Sequence, residues 1–179
     1  MQNIELSMNG RDFVFAVKQL VDTEAGNPWE NEDGHGPVTG YEDRAKLPGE
    51  LVLVSDFYNR HRFYDFAAAV EMAKIEGWDA KPYNTGNETK GQQAAKAARA
   101  DFEFLRQFCN GHWEYVGIVV TLLDDDGEET SIRESLWGIC SNDDEYLVTV
   151  AHELAGNIAA GYGRDWTKRT VTTEQYIRL

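Results

Sequence analysis

Large hydrophobic side chains recur at every second position near the start of the chain, a spacing typical of β-strands. The stretches IELSM, before Asn9-Gly10, and FVFAV, after it, both follow this rule. Asn-Gly between two such runs favours a two-residue type I′ turn, because both central residues of that turn adopt positive φ. The sequence therefore predicts a β-hairpin over the first twenty residues.

The segment 21–49 has no sustained hydrophobic period and is rich in Gly, Pro and Asn, which predicts a long loop. Two short strands, ELVLVSDF and HRFYDF, are predicted directly after it, around a turn at 58–60. Structureless segments of more than about 12 to 15 residues are usually functional or disordered. The loop is therefore a candidate functional segment.

Three stretches place apolar residues at the three-to-four spacing of amphipathic helices. Each is preceded by a polar residue that can accept hydrogen bonds from the first turn, and each is followed by Gly or Asn. The predicted helices run from Asp65 to Gly77, from about Gln92 to Cys109, and from Ser141-Asn142 to Gly161 or Gly163.

The stretch HWEYVGIVVTLLDDDGEETSIRESLWGI predicts two further strands around an acidic turn, and the apolar run 116–123 predicts the centre of a sheet. Hairpins lie before and between the helices, so the predicted fold class is α+β. We expect a mainly antiparallel sheet of about five to six strands with three helices packed on it. Residues 1–165 are predicted to form a single domain, and 166–179 a C-terminal tail or edge strand.

Composition is typical of a folded protein, with 42% hydrophobic residues, but the net charge of -14 is unevenly distributed. The segment 22–50 has eight acidic residues and two basic ones, a net charge of -6. The segment 122–155 has ten acidic residues and one basic one, a net charge of -9. Because phosphate recognition depends on Lys and Arg, we expect no direct binding to nucleic acid.

No apolar run approaches the roughly 18 to 20 residues of a membrane-spanning helix, and the N-terminus has no secretory signal pattern. We therefore expect no membrane association and a cytoplasmic location, in the host cell if a phage encodes the protein. Cys109 and Cys140 lack the spacing of a metal site and are predicted to be reduced core thiols.

Two short motifs resemble metal sites only in part. AHELAG begins like the H-E-x-x-H motif, but Gly156 occupies the place of the second histidine. The stretch LLDDDGEETSIR resembles a calcium loop, but Leu122 and Arg133 stand where its first and last carboxylates belong. We predict no metal site and no cofactor, and a hairpin turn at Asp126-Gly127.

The histidines His35, His61 and His112 are the candidates for acid–base catalysis, with Asp33 and Asp65 as nearby carboxylates. No nucleophile elbow, Cys/His pair or phosphate-binding loop accompanies them. No catalytic residue is predicted, and an unfamiliar hydrolase that uses one of these histidines is an alternative.

The two acidic segments and the aromatic residues among them are predicted to bind a partner. Complementary charge accelerates association, and buried aromatic anchors supply much of the binding energy. Trp29 is predicted either to fold back into the core or to contact the partner. The predicted partner-binding residues are Trp29, Glu30, Glu32, Asp33, Tyr41, Glu42, Asp43, Asp124, Asp125, Asp126, Glu128 and Glu129.

The stretches NPWENEDGHGPVTGY, ADFEFLRQFCNGHWEYVGIVVTLLDDDGEE, ESLWGI and DDEYLVTVAHELA together resemble small acidic proteins encoded by bacteriophages and prophages. The resemblance covers most of the chain and supplies no catalytic residues. It implies an inhibitor of host defence, such as an anti-restriction or anti-CRISPR protein, some of which imitate DNA. The expected function is non-enzymatic binding to a basic surface of a host protein that handles nucleic acid, and an assembly protein within an oligomer is the alternative.

Overall fold

The fold, described by a computed structural model for residues 2–31, 34–78 and 88–177, contains two antiparallel sheets and four helices. The predicted α+β class is confirmed, but the described residues form seven strands, which are divided between a four-stranded and a three-stranded sheet. The elements are β1 (Gln2–Met8), β2 (Arg11–Val21), α1 (Pro28–Asn31), β3 (Val38–Glu42), β4 (Glu50–Ser55), β5 (His61–Asp65), α2 (Phe66–Glu76), α3 (Lys90–Cys109), β6 (Tyr115–Leu123), β7 (Glu129–Cys140) and α4 (Asp144–Ile177).

The chain divides into two compact units. The first unit combines Met1–Thr23 with Glu114–Leu179, and the second is Glu24–Trp113. The sequence predicts a single domain over 1–165, and that expectation stays a prediction.

The first unit consists of a sheet in the order β1-β2-β6-β7 together with α4. Asn9 and Gly10 have φ values of 54° and 76°, as the predicted type I′ turn requires, and Met8 pairs with Arg11 across it. β6 lies between β2 and β7, and its residues are almost all buried. Its predicted place inside a sheet is therefore confirmed.

Helix α4 covers this sheet with an apolar face, as its spacing predicts. The helix begins one residue later than the predicted cap, because the Asp143 carboxylate accepts a hydrogen bond from the Tyr146 N–H at 3.1 Å. It also continues to Ile177 instead of ending at Gly161 or Gly163, so 166–177 is helical and does not form an edge strand. The core residues of α4 are Leu147, Val150, Ala151, Ala155, Ile158 and Ala159, with Leu154 partly buried beside them.

The second unit consists of a sheet in the order β3-β5-β4 together with α1, α2 and α3. The limits of α2 are as predicted: the Asp65 carboxylate caps the Ala68 N–H at 2.9 Å, and Gly77 adopts a left-handed φ of 73°. Helix α3 begins two residues earlier than predicted, because Thr89 and Gln92 form a reciprocal capping box.

The segment 21–49 is not a continuous loop, because it contains α1 and β3. β3 has no alternating pattern of buried and exposed residues, and α1 is only four residues long. Neither element therefore has the periodic pattern on which a sequence-based prediction depends.

Arg44 joins the end of β3 to the start of β4. Its guanidinium pairs with Glu42, donates to both carboxylate oxygens of Glu50 at 2.7 and 2.8 Å, and lies 4.2 Å from the centre of the Phe63 ring. Hydrogen bonds from Arg44, and then from the Leu47 N–H, lower the pKa of Glu50 from 4.5 to about 2.

This pair predicts a specific pH dependence of stability. Because the pKa of Glu50 is lower in the folded state, the carboxylate stabilises the fold above pH 4.5, and this contribution is lost as the pH falls towards 2. Urea unfolding at pH 5, 4 and 3 should show a difference in stability between the wild type and Glu50→Gln that shrinks with falling pH. A difference that stays constant from pH 5 to pH 3 would contradict a lowered pKa of Glu50 in the folded state.

Candidate functional site

A groove of about 1120 Å³ runs along α3 in the second unit. Its lining includes aromatic rings from Trp78 and Phe104, the basic side chains of Lys96 and Arg99, and the pair His35 and Asp101. A concave surface with apolar walls and a few converging polar groups is the usual form of a small-molecule site.

Asp101 is the centre of a hydrogen-bond network at this groove. Its Oδ1 lies 2.6 Å from His35 Nδ1, and its Oδ2 accepts from the Gly36 N–H at 2.8 Å and from the Tyr64 hydroxyl at 2.7 Å. The Asp101 side chain is only 7% exposed. The carboxylate therefore connects α3, β5 and the segment before β3.

Tyr64 is fully buried beside this carboxylate. Burial, followed by the charge of Asp101, raises the pKa of Tyr64 far above its ordinary value of 10. The Tyr64 hydroxyl therefore stays protonated and donates a hydrogen bond to Asp101.

His35 is held in one orientation at the groove. Its ring stacks on Phe104, with the centroids 5.8 Å apart and the planes 9° from parallel, while Nδ1 faces Asp101. A carboxylate that orients an imidazole in this way is part of many general acid–base sites. His35 therefore lines the groove with its ring held between Phe104 and Asp101.

The partner of His35 differs from the carboxylates near it in sequence. Asp33 lies outside the described residues, and Asp65 caps α2. Asp101 is 66 residues away from His35, so spacing could not identify it. The available signal was a carboxylate beside the apolar stripe of α3, between the buried residues Ala98 and Phe102.

The other two candidate histidines are not in this groove. His61 Nδ1 lies 2.7 Å from the Ser55 hydroxyl on the neighbouring strand, and His112 is exposed in the turn after α3. The Ser55–His61 pair is also at the surface. Of the three histidines, only His35 combines an orienting carboxylate with a lining position in the groove.

The structure brings together Trp29 and Tyr41, two aromatics that the sequence assigns to the partner-binding set. The Arg62 guanidinium lies 4.8 Å from the centre of each ring. Trp29 is partly buried and meets the Phe108 ring edge-on at 6.1 Å, whereas Tyr41 is 40% exposed. Trp29 thus packs against the core of the second unit and also contacts Arg62.

Several carboxylates of the segment 21–49 have partners within the second unit. Glu30 accepts from the Asn27 amide at 3.0 Å, and Glu42 pairs with Arg44. Asp43 is exposed. The predicted binding residues Glu32 and Asp33 lie outside the described residues.

The turn between β6 and β7, Asp124–Glu128, is the most acidic feature of the first unit and is named here the acidic tip. The Asp124 carboxylate accepts from the Asp126 N–H at 3.0 Å and from the Glu128 N–H at 2.9 Å. Gly127 has a φ of 83°, so the predicted hairpin turn is confirmed. Asp125, Asp126 and Glu128 are exposed.

Glu129 differs from the acidic tip that it follows, because it pairs with Lys18 on β2. No group of three potential metal ligands occurs within the part of the chain that the structure describes. Among the described helices, none is long and apolar enough to cross a membrane.

No protein-family model, no curated protein and no solved structure matches this chain.

Proposed function

We propose that this is a non-enzymatic binding protein whose acidic tip occupies a basic site on a partner protein. The partner we propose is a host protein that handles nucleic acid or defends the cell, in line with the resemblance to small acidic phage proteins. The observation that supports this proposal is a turn whose backbone is fixed by Asp124 while Asp125, Asp126 and Glu128 are exposed.

The charge density of the acidic tip supports the imitation of DNA. The backbone closes between the Asp124 N–H and the Glu128 carbonyl at 3.0 Å, so four carboxylates belong to one tight turn. Duplex DNA carries one charge per about 1.7 Å, so four charges correspond to roughly 7 Å of duplex. A site built for phosphates would therefore meet, in this one turn, the number of charges that about 7 Å of duplex carries.

A fixed turn also favours binding energetically. Asp124 already orders the backbone, so the tip loses little conformational freedom when it binds. Complementary charge mainly raises the association rate. Salt screens this attraction, and the Debye screening length is about 10 Å at 0.1 M ionic strength. We therefore expect a complex that forms quickly and weakens as salt is added.

The test compares two variants with equal changes of charge. Asp125→Asn, Asp126→Asn and Glu128→Gln together neutralise the tip but retain Asp124. Glu5→Gln, Glu134→Gln and Glu153→Gln remove three exposed charges elsewhere in the first unit.

Proteins captured from a bacterial lysate by the wild type at low salt should be lost by the tip variant and by the wild type at high salt. The control variant should retain them. Capture that is unchanged by the tip variant would contradict the proposal.

A second candidate, acid–base chemistry at His35, is favoured by the 2.6 Å contact with Asp101 inside the groove. Hydrolysis of p-nitrophenyl acetate by the wild type, His35→Gln and His112→Gln tests it. A reactive His35 predicts a rate that falls by about 10²-fold or more in His35→Gln but not in His112→Gln. Equal rates for all three proteins would remove this candidate.

A further inference from the structure

The turn between β4 and β5 presents two aromatic side chains to solvent. Phe57 is 97% exposed and Tyr58 is 77% exposed, and their rings meet edge-on at 5.7 Å. The Asp56 carboxylate fixes the turn, because Oδ1 accepts from the Tyr58 N–H at 3.0 Å and from the Arg60 N–H at 2.9 Å. A large apolar ring held in water by an ordered turn contributes little to the core of this unit.

These two rings continue into the contacts around Arg62. Arg60 lies 5.7 Å from the centre of the Tyr58 ring and 5.8 Å from that of Tyr41, which Arg62 then connects to Trp29. Trp, Tyr and Arg are the residue types that most often dominate binding energy at protein interfaces. The aromatic–arginine surface consists of Phe57, Tyr58, Arg60, Tyr41, Arg62 and Trp29.

The two arginines differ in charge compensation. Arg60 pairs with Asp56, with Nη2 and Oδ2 at 2.6 Å. Arg62 contacts two rings and, within the described part of the chain, has no carboxylate at ion-pair distance. Among the described residues, the surface therefore offers one cation, Arg62, that lies between aromatic rings and has no carboxylate at ion-pair distance.

We propose that the aromatic–arginine surface binds a segment of a partner protein that is both apolar and acidic. Apolar side chains of the segment pack on Phe57 and Tyr58, and one of its carboxylates pairs with Arg62. This inference goes beyond the proposed function, because the acidic tip suits a basic site and this surface suits a segment of the opposite charge.

The charge balance favours a protein segment over nucleic acid or membrane. Following a phosphate backbone or an anionic bilayer requires several cations. Counting described residues alone, the surface has one cation without a paired carboxylate, and the net charge of -14 on the chain would repel a polyanion at low salt. A single carboxylate among apolar groups is the ligand that matches one arginine among rings.

The test uses a phage-displayed library of random twelve-residue peptides, selected on the full-length wild-type protein. We expect enriched peptides in which Asp or Glu stands beside aromatic or aliphatic residues. Their affinity should fall about tenfold or more for Arg62→Met and for Phe57→Ser, as at a binding hot spot.

Two matched controls separate this site from general surface effects. Arg11→Met removes another arginine that contacts an aromatic ring, and Ile75→Ser removes another exposed apolar side chain, which is 84% accessible. Both variants should bind the selected peptides as the wild type does. The variant with a neutralised acidic tip should bind them unchanged as well, so this inference can fail or succeed independently of the proposed function.

Three results would overturn the inference. The first is a selection that yields no acidic, apolar peptides, and the second is peptide binding that Arg62→Met and Phe57→Ser leave intact. The third is tight binding of a twenty-nucleotide oligo(dT) strand, or of vesicles containing phosphatidylglycerol, that depends on Arg62. In that case the surface recognises a polyanion and not a protein segment.

Discussion

Replacing Asp101 by alanine should lower the free energy of unfolding by about 2–6 kcal/mol, because two buried groups lose their acceptor and each orphan costs about 1–3 kcal/mol. The carboxylate accepts from His35, Gly36 and Tyr64, and its side chain is only 7% exposed. Without it, the Gly36 N–H and His35 Nδ1 would lose this partner, whereas the Tyr64 hydroxyl would keep the Ala98 carbonyl at 3.1 Å. The expected loss of stability comes mainly from leaving polar groups buried without a hydrogen-bond partner, and less from the strength of any one hydrogen bond.

Urea unfolding followed by tryptophan fluorescence measures this loss. Glu103→Ala is the control, since Glu103 is on the same helix and pairs with Arg106 at the surface, where both side chains are at least 40% exposed. Such exposed helix pairs contribute about 0.3–0.5 kcal/mol. A loss below about 1 kcal/mol for Asp101→Ala would contradict the account of the network, because it would be smaller than the cost of one buried orphan.

Replacing Gly36 by alanine should destabilise the protein by about 2–3 kcal/mol, near the upper end for overpacking a close-packed interior. A Cβ at this position would lie 2.6 Å from the Tyr64 ring, from its hydroxyl and from the Ala69 Cβ. Tyr64 and Ala69 are fully buried, so neither can move aside without disturbing the core. The same displacement would strain the bond from the Gly36 N–H to Asp101.

Gly40→Ala is the matched control for this substitution. Gly40 lies four residues further along, in β3, and a Cβ there would meet no atom within 4 Å. The free energy of unfolding of the Gly40→Ala variant should differ from that of the wild type by no more than about 0.5 kcal/mol, as for ordinary surface substitutions. Equal losses for the two glycine variants would show that the close packing around Gly36 is not the cause.

The sequence predicts those parts of the fold that depend on neighbouring residues. The turn at Asn9-Gly10 and the caps of α2 at Asp65 and Gly77 were predicted correctly, because each depends on the backbone preferences of a few consecutive residues. The burial of β6 was also predictable, since a continuous apolar run has few other solutions.

Features that depend on long-range pairing were not predictable from one sequence. β3 becomes a strand because it pairs with β5, across a register irregularity, and its own residues carry no alternation. Without β3, a second sheet could not be predicted.

The helix α4 continues beyond Gly161, which does not adopt the positive φ that ends many helices.

The candidate sites follow the same division between local and distant information. Trp29 and Tyr41 could be selected as aromatics in an aperiodic segment, but their shared contact with Arg62 arises only when β3 and β5 pair. The contact between His35 and Asp101 likewise crosses 66 residues. The hairpin turn of the acidic tip was predicted correctly because its Asp-Gly pair and the two flanking strands are contiguous in sequence.

The most direct test of the proposed function is the affinity of one captured partner for the wild type and for the variant with a neutralised acidic tip, measured at low and high salt. The wild type should bind tightly at low salt and lose affinity as salt increases, while the tip variant should bind weakly and respond little to salt. Equal affinity of the two proteins at low salt would contradict the claim that the acidic tip occupies a basic site.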